Sequence, residues 1–354
     1  YQIHLIGLPR VPQRLGCLAL LLVCLAPAVA RAEDDNGGIP QAYVIHEAMS
    51  ADFEFWINGN SKTSDVEGLR AIGDEAFSAV EELDREINYW KPDSEISAVN
   101  REAADHPVVC SQDLFSLLQY AKKTWEETQG AADITVGPLV ELWGFYKKQK
   151  HFPSADELKD ALEKVGIDKV EFDKKARTVH FTRKGMRLDL GSIGKGLAAD
   201  RAAGVLRQKG IKSALVSAGG SSIVAIGVPP GKAGWTAKIR GPYNREDAID
   251  EVLLKDESIS TSAGYERFFE IEGKKYCHIF DPKTGMPAEG VISASVIAPT
   301  GLQTDSLDTG FFVLGLKGTE AFCKAHPEVR VVVISDNKGR PEPVRFNFQE
   351  KQSP

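Results

Sequence analysis

The sequence is poor in cysteine, which limits the folds and sites it can build. Of five cysteines in 354 residues, two lie in the first 24 positions, and Cys110, Cys277 and Cys323 are widely spaced. Disulfide frameworks and structural zinc sites both need several cysteines at characteristic spacings. The spacing indicates neither of them. We expect buried thiols, with a single disulfide as the alternative in an oxidising compartment.

The chain also lacks an excess of positive charge. Its 43 lysines and arginines are outnumbered by 50 acidic residues, which gives a formal net charge of −7. Binding to nucleic acid needs a basic face, so the composition argues against a nucleic-acid partner. After the N-terminal region no apolar run is long enough to cross a bilayer. We therefore expect a protein that is not integral to a membrane.

The first 32 residues have the pattern of a secretory signal peptide. Arg10 and Arg14 precede a fourteen-residue apolar run, 17–30, which ends in small residues. Such a run is too short to span a membrane and is typical of a cleaved signal. Cleavage after Ala32 would leave 322 residues with a net charge of −10, because three arginines and no acids are lost. We expect an exported protein, soluble and periplasmic or otherwise extracytoplasmic.

The remaining chain shows no internal repeat and no linker. We expect a flexible leader over residues 33–41, a single domain over 42–347 and a tail over 348–354. Composition is that of an ordinary globular protein, and the chain is long enough for one large core or for two closely packed subdomains.

Periodicity predicts both helices and strands. Alternation predicts strands on either side of Met49 and a hairpin over 169–189, and strand patterns dominate 235–298. We expect an α+β fold with mixed, largely antiparallel sheets and flanking helices. Helix signals are a capping box at Ser64 and Glu67, a start at Ser111, a capping box at Ser154 and Glu157, and helices over 196–209, 302–314 and 319–326.

A glycine-rich turn, Asp189-Leu-Gly-Ser-Ile-Gly-Lys-Gly196, opens onto an alanine-rich helix. It is not a P-loop, because Asp189 stands where the first glycine is needed, and it also lacks the dinucleotide spacing. Glycines let the backbone approach a ligand, and the free N–H groups of a helix N-terminus favour anions. We expect a phosphate contact here. The alternative is a tight connection that binds nothing.

The segment Thr304-Asp-Ser-Leu-Asp-Thr309 brings three oxygen-bearing side chains within one helical turn. Hard cations such as Mg²⁺ prefer carboxylate and hydroxyl oxygen and usually accompany a phosphate substrate. The helix is strongly apolar, and buried acids are costly without a partner. We expect Asp305, Asp308 and Thr309 to hold a metal. In the alternative, Asp305 or Ser306 caps the helix and Asp308 lies exposed in its first turn.

His278 lies near the end of a predicted strand, just before the turn sequence Asp281-Pro-Lys-Thr-Gly285. A neutral histidine can take a proton from a hydroxyl nucleophile. His278 is therefore a candidate general base. The alternative is a half-buried structural histidine, which is the commoner case for a lone histidine.

Several apolar and aromatic residues could receive a planar ring. They are Met49, Trp90 beside a proline turn, and the segment 130–139, which leads to Trp143-Gly-Phe145. A tryptophan at such a turn can stack on a heteroaromatic ring or simply pack against its neighbours.

Six motifs occur in one order along the chain. They are Asp133-Ile-Thr-Val-Gly-Pro-Leu139 with Trp143-Gly-Phe145, Asp189-Leu-Gly-Ser-Ile-Gly-Lys-Gly196, Val216-Ser-Ala-Gly-Gly220, Ile259-Ser-Thr-Ser262, His278-Ile-Phe-Asp-Pro-Lys-Thr-Gly285 and Asp305-Ser-Leu-Asp-Thr309. Taken together they resemble the ApbE family of FAD:protein FMN transferases, from about residue 43 to residue 346.

The resemblance implies cleavage of FAD at its pyrophosphate and transfer of FMN to a threonine hydroxyl of another protein. It implies His278 as the base and Mg²⁺ as the metal. The implied metal ligands are Ser192, Asp305, Asp308 and Thr309. The implied FAD contacts are Met49, Trp90, Ala131, Ala132, Asp133, Asp189, Lys195, Thr261 and Phe280.

We therefore expect a Mg²⁺-dependent FMN transferase that modifies extracytoplasmic acceptor proteins, such as subunits of membrane-associated redox complexes. The same site with water as the acceptor would be an FAD pyrophosphatase that releases FMN and AMP. A non-catalytic FAD-binding protein is the third alternative, and the intact metal and base residues argue against it.

Overall fold

The computed structural model describes residues 39–60, 65–243, 248–337 and 340–348. The predicted signal peptide, most of the predicted leader and most of the predicted tail lie outside these ranges. Among the described residues, no helix combines the length and the apolar character needed to cross a bilayer.

The described chain consists of helices joined by strands and hairpins. The helices are α1 (Val66–Ile87), α2 (Glu95–Glu102), α3 (Gln112–Glu127), α4 (Gly137–Leu142), α5 (Ala155–Leu162), α6 (Gly194–Gln208) and α7 (Gly301–Ala325). The strands are β1 (Gln41–Ala48), β2 (Ala51–Asn58), β3 (Val108–Val109), β4 (Val170–Asp173), β5 (Thr178–Phe181), β6 (Ser213–Ala218), β7 (Ser222–Ile226), β8 (Trp235–Arg240), β9 (Ala248–Leu254), β10 (Ser258–Ala263), β11 (Phe268–Ile271), β12 (Lys274–Cys277), β13 (Val291–Ala298), β14 (Arg330–Asn337) and β15 (Arg340–Phe346).

The main sheet has eight strands in the order β1-β2-β6-β7-β10-β13-β14-β15. Every neighbouring pair in it is antiparallel. The predicted α+β fold with largely antiparallel sheets is therefore confirmed. Alternation along each strand separates the two faces, so that Phe53, Phe55 and Ile57 of β2 all enter the same core.

Both faces of the main sheet are covered. Helices α1, α6 and α7 pack against one face. The hairpin formed by β8 and β9 covers the other face with apolar side chains. The three expected buried thiols, Cys110, Cys277 and Cys323, are free and buried.

Helices α6 and α7 cross at two glycines. A Cβ atom on Gly196 would lie 2.0 Å from the carbonyl oxygen of Gly301, so a side chain cannot be accommodated there. Each helix also places a carboxylate on the N-terminus of the other. Asp200 of α6 accepts the Gly301 N–H at 2.7 Å, and Asp305 of α7 accepts the Gly196 N–H at 2.8 Å. These reciprocal caps satisfy helix N–H groups and fix the crossing.

The predicted helix ends are mostly confirmed. The capping box of Ser154 and Glu157 at α5 is present. At α1 the predicted cap is wrong: Asp65 is the N-cap and accepts the Gly68 N–H, while Ser64 lies outside the described residues. The two helices predicted after residue 301 are present as α7, which is broken at Gly315, where φ is 66°.

Candidate active site

Three serines of β10 face the two acids of α7. Residues two apart on a strand share a face, so Ser258, Ser260 and Ser262 form a row, here called the serine row. Ser258 bonds Thr304 at 3.0 Å, Ser260 donates to Asp305 at 2.9 Å and Ser262 donates to Asp308 at 2.9 Å. Ser260 and Ser262 of this row form the carboxylate site together with Asp305, Asp308 and Thr309.

Asp305 is the more fully bonded of the two acids. Its Oδ1 accepts hydrogen bonds from Ser222 at 2.8 Å and from Ser260 at 2.9 Å. Its Oδ2 accepts the Gly196 N–H. The residue is 3% exposed. Three donors hold this carboxylate in one orientation.

Asp308 is as deeply buried, at 2% exposed, but it has weaker support. Ser262 donates to its Oδ1 at 2.9 Å, and the Thr309 hydroxyl lies 3.2 Å from the same oxygen. Burial raises the pKa of Asp308 well above its usual range, and the negative charge of Asp305 raises it further. Residues three apart on a helix are neighbours, with Cβ atoms about 5–6 Å apart. A negative charge on one of the two acids therefore disfavours a negative charge on the other.

The carboxylate site fits a hard divalent cation. Two buried carboxylates and the Thr309 hydroxyl offer only oxygen, which suits Mg²⁺. Within the described ranges, no cluster of three or more histidine, cysteine, aspartate or glutamate side chains could hold a metal. A cation at Asp305 and Asp308 would therefore complete its coordination with hydroxyls, water or substrate phosphate, as Mg²⁺ commonly does. The alternative of a helix cap is wrong, since Thr300 caps α7.

Ser192 and Lys195 lie on the glycine-rich turn and the start of α6. Ser192 lines a cavity of about 10 Å³ with Ala132 and Ser306 of α7, and it bonds neither acid directly. Lys195 forms no ion pair with any described residue. Its positive charge opposes part of the rise in the pKa of Asp308 that burial and Asp305 cause, and it contributes to the lowered pKa of His278. A lysine at a helix N-terminus can bind an anion.

His278 follows β12, and Arg267 precedes β11, so the two residues meet at the open end of this hairpin. The Arg267 carbonyl accepts the His278 main-chain N–H, and it lies 3.1 Å from Nδ1. A carbonyl can only accept, so Nδ1 carries the proton and Nε2 is the basic nitrogen. Burial, with the positive charges of Arg267 and Lys195, lowers the pKa of His278 to about 4. The ring is therefore neutral at neutral pH.

Trp90 and Asp189 are brought together by residues that the sequence did not single out. Tyr89, Trp90 and Tyr146 form an aromatic cluster with ring centroids 5.0–5.4 Å apart. The Arg187 guanidinium lies 4.7 Å from the Tyr146 centroid. These four residues are here called the aromatic platform. The Tyr146 hydroxyl donates to Asp189 Oδ2 at 2.8 Å, which links the platform to the glycine-rich turn.

Met49 and Ala132 lie on different parts of the fold, Met49 in a turn of the main sheet and Ala132 against α7. Met49 has a φ of 53° in the turn between β1 and β2, next to the Gly219 turn, whose N–H bonds Asp52. A Cβ on Gly310 of α7 would lie 3.1 Å from the Cβ of Ala132. The segment that contains Ala131 and Ala132 therefore packs beside Thr309.

The side chains of three predicted FAD residues have partners within the protein. Asp133 is buried, and its Oδ1 accepts two bonds from Thr135. Thr261 is half-buried on the face opposite the serine row, and its hydroxyl lies 2.8 Å from that of Ser295. Phe280 is buried against Trp143. The FAD role of these three residues stays a prediction.

The serine row, Ser222 and Tyr146 were missed by the sequence reasoning. The pattern Ser258-Ile-Ser-Thr-Ser262 could have revealed the row, because three polar residues at alternate positions of a buried strand require partners. No local pattern marks Ser222 or Tyr146, whose partners lie 83 and 43 residues away.

Comparison with known proteins agrees with this geometry. The ApbE family pattern matches residues 49–333. The FAD:protein FMN transferase of Treponema pallidum (strain Nichols) is 34% identical over 286 residues, which cover 76% of this chain and 78% of that protein. That of Klebsiella pneumoniae (strain 342) is 32% identical over 263 residues, which cover 72% and 75% respectively. The solved structure of flavin transferase ApbE from Vibrio cholerae matches with a TM-score of 0.77 at 25% identity, over 87% of this chain and 97% of that one.

The fold and the site thus define an enzyme of the flavin-transferase class. The chain belongs to the ApbE family.

Proposed function

We propose that this enzyme transfers the FMN part of FAD to a threonine hydroxyl of an acceptor protein, in a Mg²⁺-dependent reaction that releases AMP. One observation carries the proposal: the two buried acids of α7 lie against the glycine-rich turn, since Asp305 accepts the Gly196 N–H at 2.8 Å and Lys195 directly precedes that glycine. A cation site and an anion-binding lysine therefore adjoin each other, and the positive charge of Lys195 also reaches His278. The relatives' activity on FAD and protein gives these groups a substrate.

In the proposed reaction, the threonine oxygen attacks the phosphorus of the FMN phosphate. The new P–O bond forms as the P–O bond to AMP breaks, and AMP leaves with that electron pair. Nε2 of His278 accepts the threonine proton. A hydroxyl is a poor nucleophile until a base removes its proton, and such proton transfer typically contributes about 10²–10⁴ in rate.

The charges around His278 are suited to an anionic substrate. In the free enzyme Lys195 and Arg267 oppose protonation of the ring. A bound pyrophosphate would offset their charge, so that the basicity of Nε2 rises when substrate is present. Mg²⁺ held by Asp305, Asp308 and Thr309 would supply the remaining charge neutralisation. Ser192 is proposed as a further oxygen near this metal, acting through water.

The proposed acceptors are extracytoplasmic proteins, such as redox-complex subunits. This part of the proposal rests on the signal-peptide pattern of residues 1–32. The protein is accordingly proposed to act after export.

The test is incubation of the protein with FAD and a threonine-bearing acceptor domain, with and without Mg²⁺. AMP is measured by chromatography, and acceptor-bound flavin by in-gel fluorescence. We expect AMP and flavinylated acceptor in equal amounts, and a loss of about 10²–10⁴-fold in rate for His278→Ala. His180→Ala is the control, because His180 on β5 pairs with Glu171 on the neighbouring strand β4, outside the main sheet.

Two outcomes would contradict the proposal. AMP with free FMN, at a rate that does not depend on the acceptor, would identify an FAD pyrophosphatase. Intact FAD in every tube would identify a binding protein.

A further inference from the structure

Tyr146 contacts both parts of the site that are expected to receive a ring of FAD, although no sequence pattern marked it. It touches the exposed Trp90 through its ring and the Asp189 carboxylate through its hydroxyl. We propose that Tyr146 is a positioning residue that holds Trp90 and Asp189 at a fixed spacing for one ring-bearing half of FAD. The inference rests on the proposed function and deepens it.

The hydroxyl of Tyr146 orients the Asp189 carboxylate. It donates to Oδ2 at 2.8 Å, while the Gly191 N–H donates to Oδ1 at 2.8 Å. The Asp189 main-chain N–H is held by the Ile134 carbonyl at 2.7 Å. The rotation of the carboxylate is thereby fixed, and each oxygen keeps a lone pair for another donor. A ligand N–H or O–H group can use one of them.

The ring of Tyr146 supports Trp90. The two rings lie 5.4 Å apart at 85°, and Tyr89 contacts both of them at 5.0–5.3 Å. Edge-to-face packing of this kind is favourable. Trp90 is nevertheless 57% exposed, so much of its surface remains available for stacking.

Tyr146 remains a hydrogen-bond donor at any working pH. Burial raises the pKa of its hydroxyl, and the neighbouring negative charge of Asp189 raises it further. The Arg187 guanidinium lies over the rings of Tyr89 and Tyr146. The platform therefore presents a stacking surface and an oriented acceptor together, which suits an aromatic ring joined to a hydrogen-bond donor.

A double-mutant cycle on FAD affinity tests the proposal. Dissociation constants are measured by calorimetry for the full protein, for Tyr146→Phe, for Asp189→Ala and for the double variant. We expect Tyr146→Phe to weaken binding about tenfold, the lower end of the range for loss of a hydrogen bond to a charged group. In the Asp189→Ala background the same change should have almost no further effect.

Tyr43→Phe provides a matched control. The Tyr43 hydroxyl also donates to a carboxylate, that of Glu54, at 2.6 Å, but it lies on the edge strand β1, about 20 Å along the chain from Met49. This variant should bind FAD like the unmodified protein. Tyr146→Ala should weaken binding more than Tyr146→Phe, because the support of Trp90 is lost as well.

The outcomes separate the two proposals. Unchanged affinity in Tyr146→Phe, or losses that simply multiply in the double variant, would overturn the role of Tyr146 alone. If the unmodified protein did not bind FAD, the proposed function and this inference would both be overturned.

Discussion

The carboxylate site and the aromatic platform contact opposite ends of the glycine-rich turn, at Gly196 and Asp189, and are built in different ways. The carboxylate site lies between a central strand and a helix, and its acids are 2–3% exposed. The aromatic platform comes from the end of α1 and from loops, and its Trp90 is 57% exposed. The first site is held by regular secondary structure, and the second by side-chain contacts between loops.

The difference separates two kinds of binding. Buried acids with fixed hydrogen bonds are preorganised, so a charge that arrives there is stabilised without rearrangement. An exposed tryptophan supported at one edge offers a stacking surface, and it should contribute affinity more than rate. Changes at the carboxylate site should therefore affect catalysis strongly, and changes at the platform should affect binding moderately.

The largest effect is expected for Asp308→Asn. This change removes the negative charge that the proposed Mg²⁺ would bind, and it keeps the shape of the side chain. We expect kcat/KM for transfer to fall by about 10³-fold, which is several kcal/mol of lost stabilisation. Asp74→Asn, at an exposed pair with His46, should have no such effect. Full activity of Asp308→Asn would show that the carboxylate site is structural.

A smaller effect is expected for Ser262→Ala. Ser262 lies 2.9 Å from both the Asp308 carboxylate and the Thr309 hydroxyl. Loss of such a supporting bond typically weakens metal affinity about 10–100-fold, and Mg²⁺ titration by calorimetry would measure it. Ser258→Ala is the matched control, because this serine of the same row bonds only Ile223 and Thr304. Equal losses in both variants would contradict a specific role for Ser262.

Trp90→Ala should show the behaviour of the platform. We expect FAD affinity to fall about two- to tenfold, the range for loss of one aromatic contact, while the melting temperature changes little because the side chain is largely exposed. Fluorescence titration with FAD and thermal unfolding measure the two quantities. Tyr243→Ala, at another exposed aromatic residue, is the control. A large loss of stability without a change in affinity would assign Trp90 to packing.

The difference between the carboxylate site and the aromatic platform also explains which contacts could be predicted from the sequence. Asp305, Asp308 and Thr309 are adjacent on one helix, so helical periodicity alone brings them together. The partners of Asp305, Ser222 and Ser260, come from two strands and lie 83 and 45 residues away in the sequence. Only the sheet order β7-β10 places those serines side by side, and that order is not contained in any local pattern.

Single contacts of the platform were harder to predict. The proline turn beside Trp90 marks it as a residue for stacking or packing, whereas nothing in the sequence distinguishes its neighbour Tyr146 from other aromatic residues near Trp143. The direction of a strand side chain is also sensitive to register, because a shift of one residue reverses it. Thr261 was expected at the ligand, yet the structure turns it to the face opposite Ser260 and Ser262.

The smallest expected effect is a pH dependence of the stabilisation that Mg²⁺ gives at the carboxylate site. The pKa of Asp308 is raised above its ordinary value of 3.8 in the folded protein. Without metal, the folded state therefore keeps a proton on Asp308 that the unfolded chain releases. The stabilisation of the folded state by this proton is lost as the pH rises towards the raised pKa of Asp308. Mg²⁺ binds the deprotonated carboxylate, so its stabilising effect should grow over the same interval.

Melting temperatures with and without Mg²⁺, at about pH 5 and about pH 8, test this expectation. The shift caused by Mg²⁺ should be larger at the higher pH by a few degrees, which corresponds to about 1 kcal/mol for a protein of this size. In Asp308→Asn the shift should be small and the same at both pH values, since no proton competes with the metal at that position. A shift in the unmodified protein that is equal at both pH values would show that Asp308 does not change protonation when Mg²⁺ binds, and the contrast between the two acids of α7 would then be one of hydrogen bonding alone.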